Sequence, residues 1–132
     1  MPASSILAFC IVALVAVAWI VLRRGRSRIW FTTFDEVAVM RELLLWAAPQ
    51  VPGRRGRMLF ASSLAIAPFA IPAMHSISRG DLAVLAPYID EWIEGRAPPQ
   101  NLPPEYEDTR PAVLRAFKQR LQSEGRWPHA AA

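Results

Sequence analysis

The chain has 132 residues, 53% of them hydrophobic, a net charge of +4 and a single cysteine. This length allows one small domain and an anchor, and one cysteine excludes a disulfide framework or a cysteine-based zinc site within the chain. Residues 1–57 carry eight arginines and three acidic residues, whereas residues 58–132 are slightly acidic. The excess positive charge therefore lies beside the apolar N-terminal stretch, where a membrane surface would favour it.

The first predicted element is a transmembrane helix. All seventeen residues of the stretch Ile6–Leu22 are apolar, and the uncharged stretch 2–22 would reach about 30 Å as a helix, which is the thickness of a hydrocarbon core. A lone span can satisfy its backbone polar groups only as a helix. Amphipathic rings and basic side chains at the exit of a span are typical of the membrane–water interface. We therefore predict six interface residues: Trp19, Arg23, Arg24, Arg26, Arg28 and Trp30.

The charges around this helix predict its orientation. Four arginines follow it and no charged side chain precedes it, so the positive-inside bias predicts an external N-terminus and a cytoplasmic chain from residue 23 onward. A cleaved signal peptide is the main alternative, but it would carry its basic residues before the apolar run. Fourteen of the fifteen basic residues are arginine, as is common in proteins from GC-rich bacterial genomes, and we predict a bacterial inner membrane location.

The remainder is predicted to be a small bundle of short amphipathic helices, which makes the fold class all-α. The first of these helices covers about residues 33–48. Thr33 and Glu36 have the spacing of a capping box at its start, and Pro49 ends it. Its apolar arc is wide, which favours a core helix and leaves a helix on the membrane interface as the alternative.

Two more helices are predicted towards the C-terminus. One starts near Ser78 and ends at Gly95, and the other, amphipathic and basic, runs from about Thr109 to Glu124. Residues 96–108 hold four prolines and three acidic residues, which is typical of a stiff linker. The predicted organisation has four parts: an anchor with a basic flank over 1–28, a helical domain over 29–95, the linker over 96–108, and a C-terminal helix and tail over 109–132.

Residues 58–75 allow two interpretations. The stretch Met58–Met74 is seventeen residues without charge, which fits a second, proline-containing span that would place the arginine-rich loop 49–57 in the cytoplasm. In the other interpretation this stretch is the apolar centre of the helical domain, broken near Pro68, because its length is marginal for a span and it contains serines. We favour the domain interpretation.

The sequence predicts no catalytic, cofactor-binding or metal-binding residues. His75 and His129 lack the partners of a metal-binding helix motif, although His75 borders the apolar segment and would be the first residue to test in a second span. Asp90 and Glu94 lie one turn apart on a predicted helix, where such a pair is usually a solvated face. The arginine runs set topology and attract anionic lipid headgroups, so we expect no nucleic acid partner.

These observations predict a non-catalytic protein. The expected function is that of a small membrane-anchored accessory or assembly subunit that binds a larger membrane protein complex, because short helices carry wide apolar faces and no motif carries chemistry. The expected partners are the lipid bilayer, its anionic headgroups and a membrane protein. The alternative is a self-associating membrane hairpin of the holin-like or toxin type, packed through small residues. A membrane-bound enzyme that uses His75 or the Asp90 and Glu94 pair is the third hypothesis.

Overall fold

A computed structural model of the chain describes residues 3–26, 28–66 and 71–128, with the backbone alone for 22–26. His129 and Pro68, which were considered above, lie outside these residues. The described chain is mostly helical. Its elements are α1 (Ala3–Arg26), β1 (Arg28–Trp30), α2 (Phe34–Ala47), α3 (Arg54–Ala65), β2 (Ser76–Ser78), α4 (Arg79–Ile93) and α5 (Arg110–Ser123), with 3-10 turns at Ala48–Gln50 and Pro72–Met74.

Helix α1 stands apart from the rest of the chain. Its stretch Ala3–Val21 has a mean hydropathy of 2.7, and none of it is buried against the domain. Among the described residues this is the one helix long and apolar enough to cross a membrane. Its side chains from Ile6 to Val21 are exposed, so the chain itself leaves a large apolar surface uncovered, which in soluble monomers is rare.

The core of the domain forms where α2, α4 and α5 pack together. The sequence predicts one apolar stripe at helical spacing on α4 and two on α2. All four residues of the α4 stripe are buried, and α2 buries residues of both stripes: Leu82, Leu85, Ile89 and Trp92 on α4, then Val37, Met40, Leu44 and Ala47, and Val39 and Leu43, on α2. This burial confirms α2 as a core helix. Removing these apolar side chains from water is the main favourable contribution to folding. The largest fully buried side chains include Trp92, Phe31, Phe117, Met40, Leu43, Leu44, Leu85 and Ile89.

The predicted helix starts at Thr33 and Ser78 are confirmed. In a capping box the Glu36 carboxylate would accept from the backbone N–H of Thr33, but here it accepts from side chains. The Thr33 hydroxyl accepts the Glu36 backbone N–H at 3.1 Å, and Ser78 accepts that of Asp81 at 3.0 Å. The buried Glu36 carboxylate accepts from the hydroxyl groups of Thr32 and Thr33 and from the Arg120 guanidinium at 2.8 Å. These bonds compensate a buried charge, and the last of them fastens α5 to the start of α2.

A two-stranded antiparallel sheet was not predicted from the sequence. Strand β1 pairs with β2, with Ile29 opposite Ile77, and both of these side chains are buried. Each strand has three residues, which is too short for an alternating pattern to register. The pairing brings the first residues after α1 against the residues before α4. The domain therefore begins directly where α1 ends.

The ambiguous segment 58–75 contributes to the domain. Helix α3 has 12 residues, which is short of the roughly 20 that a span needs. Leu59, Ser63 and Ile66 are buried, and Pro72 in the 3-10 turn is buried as well. The outward side of α3 stays exposed and apolar. In the described part of the segment, one side of α3 therefore packs in the core of the domain and the other side is exposed.

Candidate functional site

The six predicted interface residues are divided between two elements. Trp19 is exposed on α1, and the three arginines within 23–26 lie in the last turns of the same helix. Arg28 and Trp30 begin and end β1. Arg28 donates to the Ser76 hydroxyl at 2.6 Å and to the Ser76 carbonyl oxygen at 3.2 Å. The Arg28 side chain thus links β1 to β2 close to the point where the chain leaves α1.

His75 lies in a small polar cavity near that point. The cavity has a volume of about 190 Å³, and its lining includes Arg28, Ser62 and Ser76. The His75 backbone carbonyl accepts from Phe31 at 3.1 Å, while its buried Nε2 atom has no hydrogen-bond partner among the described residues. Sequence reasoning singled out His75, and the structure places it in a cavity with one arginine and two serines, one of which, Ser62, donates to the Asp81 carboxylate at 3.1 Å.

Asp90 and Glu94 do not act as a pair. The Asp90 carboxylate contacts the Lys118 ammonium at 2.5 Å, and the Glu94 carboxylate contacts Arg96 at 2.9 Å. Each carboxylate therefore has its own cation. The arrangement fastens α5 to α4 through Asp90, and Glu94 instead contacts a cation in the turn after α4.

Arg110 forms a buried ionic cluster that the sequence analysis missed. Its side chain is 3% exposed and contacts Asp108 and Glu42, each at 2.7 Å. It also donates to the Pro98 carbonyl oxygen at 2.6 Å and lies over the Trp92 ring at 5.0 Å. One guanidinium thus joins α2, α4, α5 and the proline-rich linker. Its planar fork suits such multiple acceptors. The cluster links these elements of the domain through a buried guanidinium whose two carboxylate partners are partly exposed.

The cluster predicts an acid dependence of stability. The hydrogen bond from the Arg110 side chain lowers the pKa of Asp108 below its usual 3.8, against the opposing effect of burial. A carboxyl with a lowered pKa in the folded state stabilises the fold above its unfolded pKa, and this stabilisation is lost as the pH falls through the folded value. Urea unfolding in micelles at decreasing pH should therefore show a loss of stability that Asp108→Asn reduces. Parallel pH profiles for the two proteins would contradict this.

An open apolar groove lies between the end of α2 and α3. It has a volume of about 420 Å³, within the range of sites that hold a small ligand or an anchoring side chain. We call it the α3 groove. It is lined by Leu45, Ala48, Pro49, Val51, Gly53, Gly56, Arg57 and Phe60. Pro49 turns the chain out of α2, and Gly53, with φ of 75°, turns it into α3.

Gly56 forms the floor of the α3 groove because only glycine fits there. A Cβ atom at position 56 would lie 2.1 Å from the Val51 carbonyl oxygen and 2.8 Å from that of Ala48. Gly56→Ala should therefore push α3 away from α2 and lower the free energy of unfolding by about 1–3 kcal/mol, despite the higher helix propensity of alanine.

Gly80→Ala is the matched control for Gly56→Ala. The nearest atom to a Cβ at position 80 is the Ser78 hydroxyl oxygen at 3.9 Å, so alanine there should leave stability unchanged or raise it by up to about 1 kcal/mol. Urea unfolding of both variants measures the difference. Equal stability of the two variants would contradict the close approach of α3 to the backbone of residues 48–51.

Three arginines lie in the first turn of α3, and one of them, Arg57, lines the α3 groove. Arg54, Arg55 and Arg57 are exposed, and within the described ranges none of them forms an ion pair. The first turn of α3 has no acidic residue and no side-chain cap. Cations at a helix N-terminus are unfavourable because the helix dipole is positive there. A negatively charged group from outside the chain would relieve this repulsion.

The fold and this site define a small helical domain that follows an exposed apolar helix directly in the chain. Within the described ranges, no group of three or more His, Cys, Asp or Glu residues could hold a metal ion. The chain matches no protein-family model, no curated protein and no solved structure. Its function is therefore argued from its own surfaces.

Proposed function

We propose that the protein is a membrane-anchored, non-catalytic accessory or assembly subunit that binds a larger membrane protein complex. Helix α1 would hold it in a membrane, which the arginine-rich composition suggests is the bacterial inner membrane, and the charges around α1 would place the N-terminus outside and the domain in the cytoplasm. The observation that carries the proposal is the α3 groove, an open apolar surface lined in part by Arg57, which forms no ion pair within the described chain.

The chemistry of the α3 groove specifies its occupant. Ala48, Pro49, Val51 and Phe60 offer apolar contact, and a partner's aromatic or aliphatic side chain would bury its surface there. The adjacent arginines favour carboxylates on that partner because charge complementarity guides orientation and association. We therefore propose an apolar segment with acidic flanking residues, from an integral membrane protein, as the bound element.

Anchoring explains how a groove of this size could suffice. A protein and a partner confined to the same membrane meet at a high effective concentration, so modest contacts give stable association. The exposed apolar length of α1 supports such confinement. The domain would then act as a clamp or spacer on its partner, and it would need no reactive side chains.

The two other hypotheses have less support. A hairpin of the toxin type needs a second span, whereas α3 has 12 residues and buries Leu59 and Ser63 in the domain. Controlled expression that depolarises cells would favour the hairpin. An enzyme would need His75 or the two carboxylates on α4, and alanine at each of these positions should then abolish function.

Site-specific photo-crosslinking in native membranes tests the proposed function. A photoreactive phenylalanine analogue at Phe60 should give a discrete adduct with an integral membrane protein. The same analogue at Leu102 is the matched control, because the two side chains are 49% and 48% exposed and Leu102 lies in the linker. Adducts of the same protein and yield at both positions, or no adduct at position 60, would contradict the proposal.

The matching substitutions give a second readout. Phe60→Asp should abolish co-purification of the crosslinked protein in mild detergent because it places a negative charge in the apolar groove, whereas Leu102→Asp should leave co-purification unchanged. Full retention of the partner by Phe60→Asp would show that the α3 groove is not its binding site.

A further inference from the structure

We propose that the outward face of α3 and the turn that follows it lie flat in the membrane interface, so that the domain is seated on the bilayer as well as tethered to it. The contact surface, which we call the seat, consists of Met58, Leu64, Ile71 and Met74. The inference rests on the proposed anchoring by α1. It differs from a second span because α3 lies in the plane of the interface and does not cross it.

The seat is exposed and apolar to an unusual degree. Met58, Leu64, Ile71 and Met74 are 50%, 65%, 61% and 70% exposed. From Met58 to Ser78 the sequence has no acidic residue, no lysine and no arginine. A helix whose outward side faces water usually carries charges on that side. In α3 the inward side packs in the domain through Leu59 and Ser63, the exposed arginines are confined to the first turn, and the exposed surface from Met58 onward has no charge.

The seat lies next to the point where the chain leaves α1. Arg28, two residues beyond the end of α1, shares one small cavity with Ala65 on α3 and Met74 on the 3-10 turn. Arg28 also bonds directly to Ser76. The end of α3 and the turn are therefore held beside the exit of the anchor. Once α1 spans a bilayer, the seat is close to the bilayer surface, which makes lipid the occupant that the position favours.

The charges on α3 match an anionic lipid surface. Arg54 and Arg55 lie at its N-terminal end and line a cavity with Met58 and Asp81. Neither arginine forms an ion pair within the described residues, so the two cations outnumber the single carboxylate at this end of the helix. An amphipathic helix in the interface buries its apolar side among the acyl chains and directs its basic residues to the phosphates. The α3 groove opens through Arg57 and Phe60, and Leu64 of the seat lies one helical turn beyond Phe60.

Spin labels on the full-length protein test the seat in vesicles of phosphatidylcholine and phosphatidylglycerol. Cys10, the one cysteine of the chain, reports on the anchor in the wild type. Labels at Leu64→Cys and Met74→Cys, each with Cys10→Ser, report on the seat. A label at Asn101→Cys is the control, since it lies in the exposed linker beyond the far end of α4. For each label, the rate of collision with oxygen, which is enriched in lipid, is compared with the rate of collision with a nickel complex, which stays in water. The ratio of the two rates reports whether the label lies in lipid or in water.

We expect deep lipid exposure at Cys10, shallow lipid exposure at positions 64 and 74, and nickel accessibility at position 101. The double variant Arg54→Gln and Arg55→Gln should shift the label at position 64 towards the nickel accessibility of position 101, and vesicles without phosphatidylglycerol should do the same. Lipid contact at Cys10 with full nickel access at positions 64 and 74 would overturn the seat and leave the anchor intact.

Two other outcomes would overturn the proposal in different ways. Labels at 64 and 74 that collide with neither oxygen nor nickel would show that a second copy of the protein covers this face. A label at Cys10 that remains accessible to nickel would show that α1 does not enter the bilayer, and the proposed function would fail together with the seat.

Discussion

Replacing Trp92 by alanine is expected to lower the free energy of unfolding of the domain by about 3–5 kcal/mol. The Trp92 ring is 0% exposed, lies 5.5 Å from the Trp46 ring and carries the Arg110 guanidinium over its face. Its indole N–H has no hydrogen-bond partner among the described residues, so the loss is one of packing. A domain of this size has a total stability of about 5–15 kcal/mol. The variant should therefore lose a large share of its stability, which urea titration in micelles followed by circular dichroism would measure.

Trp127→Ala is the matched control for this experiment. Trp127 is half-buried at the edge of the core and has Lys118 over its ring at 5.1 Å. An exposed cation–π contact contributes about 0.5–1 kcal/mol, so this variant should remain folded. A loss for Trp92→Ala no larger than that for Trp127→Ala would contradict the placement of Trp92 at the centre of the core.

Introducing two aspartates in the middle of α1 is expected to release the protein from the membrane. Val12 and Val15 are exposed on α1, and aspartate at the centre of a span is unfavourable by about 2.5–3.5 kcal/mol per residue on insertion scales. The double variant Val12→Asp and Val15→Asp should therefore fail to insert. A fluorescent protein fused to the C-terminus should then change from a rim at the cell envelope to a diffuse cytoplasmic signal.

The double variant Val12→Leu and Val15→Leu controls for changes in the helix that keep it apolar. It should give the same envelope signal as the wild type, because leucine favours insertion as valine does. An unchanged envelope signal in the aspartate variant would mean that another surface, such as the seat or a bound partner, retains the protein.

Most of the helical structure could be predicted from local sequence. Apolar residues at helical spacing located α2, α4 and α5, and their burial follows the predicted stripes. Thr33 and Ser78 cap two of these helices as predicted, because capping depends on residues within one turn. Gly95 and Gly125, with φ of 89° and 66°, stand just past the ends of α4 and α5, where a left-handed residue favours glycine.

The features that sequence reasoning missed depend on contacts between distant residues. The pairing of Ile29 with Ile77 joins strands of three residues that lie 48 positions apart. Arg110 is one of fifteen basic residues, and its burial depends on Glu42 from another helix. The α3 groove depends on the approach of Gly56 to a backbone segment before it. A glycine between arginines at 54–57 was a usable signal, because glycine in a helix implies close packing or a turn.

These features give a consistent account of the protein. The apolar helix is left uncovered by the domain, the domain starts directly at its end, and the surfaces near that end are apolar and basic. Each of them suits a protein that works at a membrane surface by contact. The account depends on α1 lying in a bilayer.

Alkaline extraction of membranes from cells that express the unmodified chain tests that dependence most directly. The account predicts that the full-length protein stays in the membrane pellet after a sodium carbonate wash and high-speed centrifugation, and that it enters the supernatant only when detergent is added. Recovery of the intact chain in the detergent-free supernatant would contradict it.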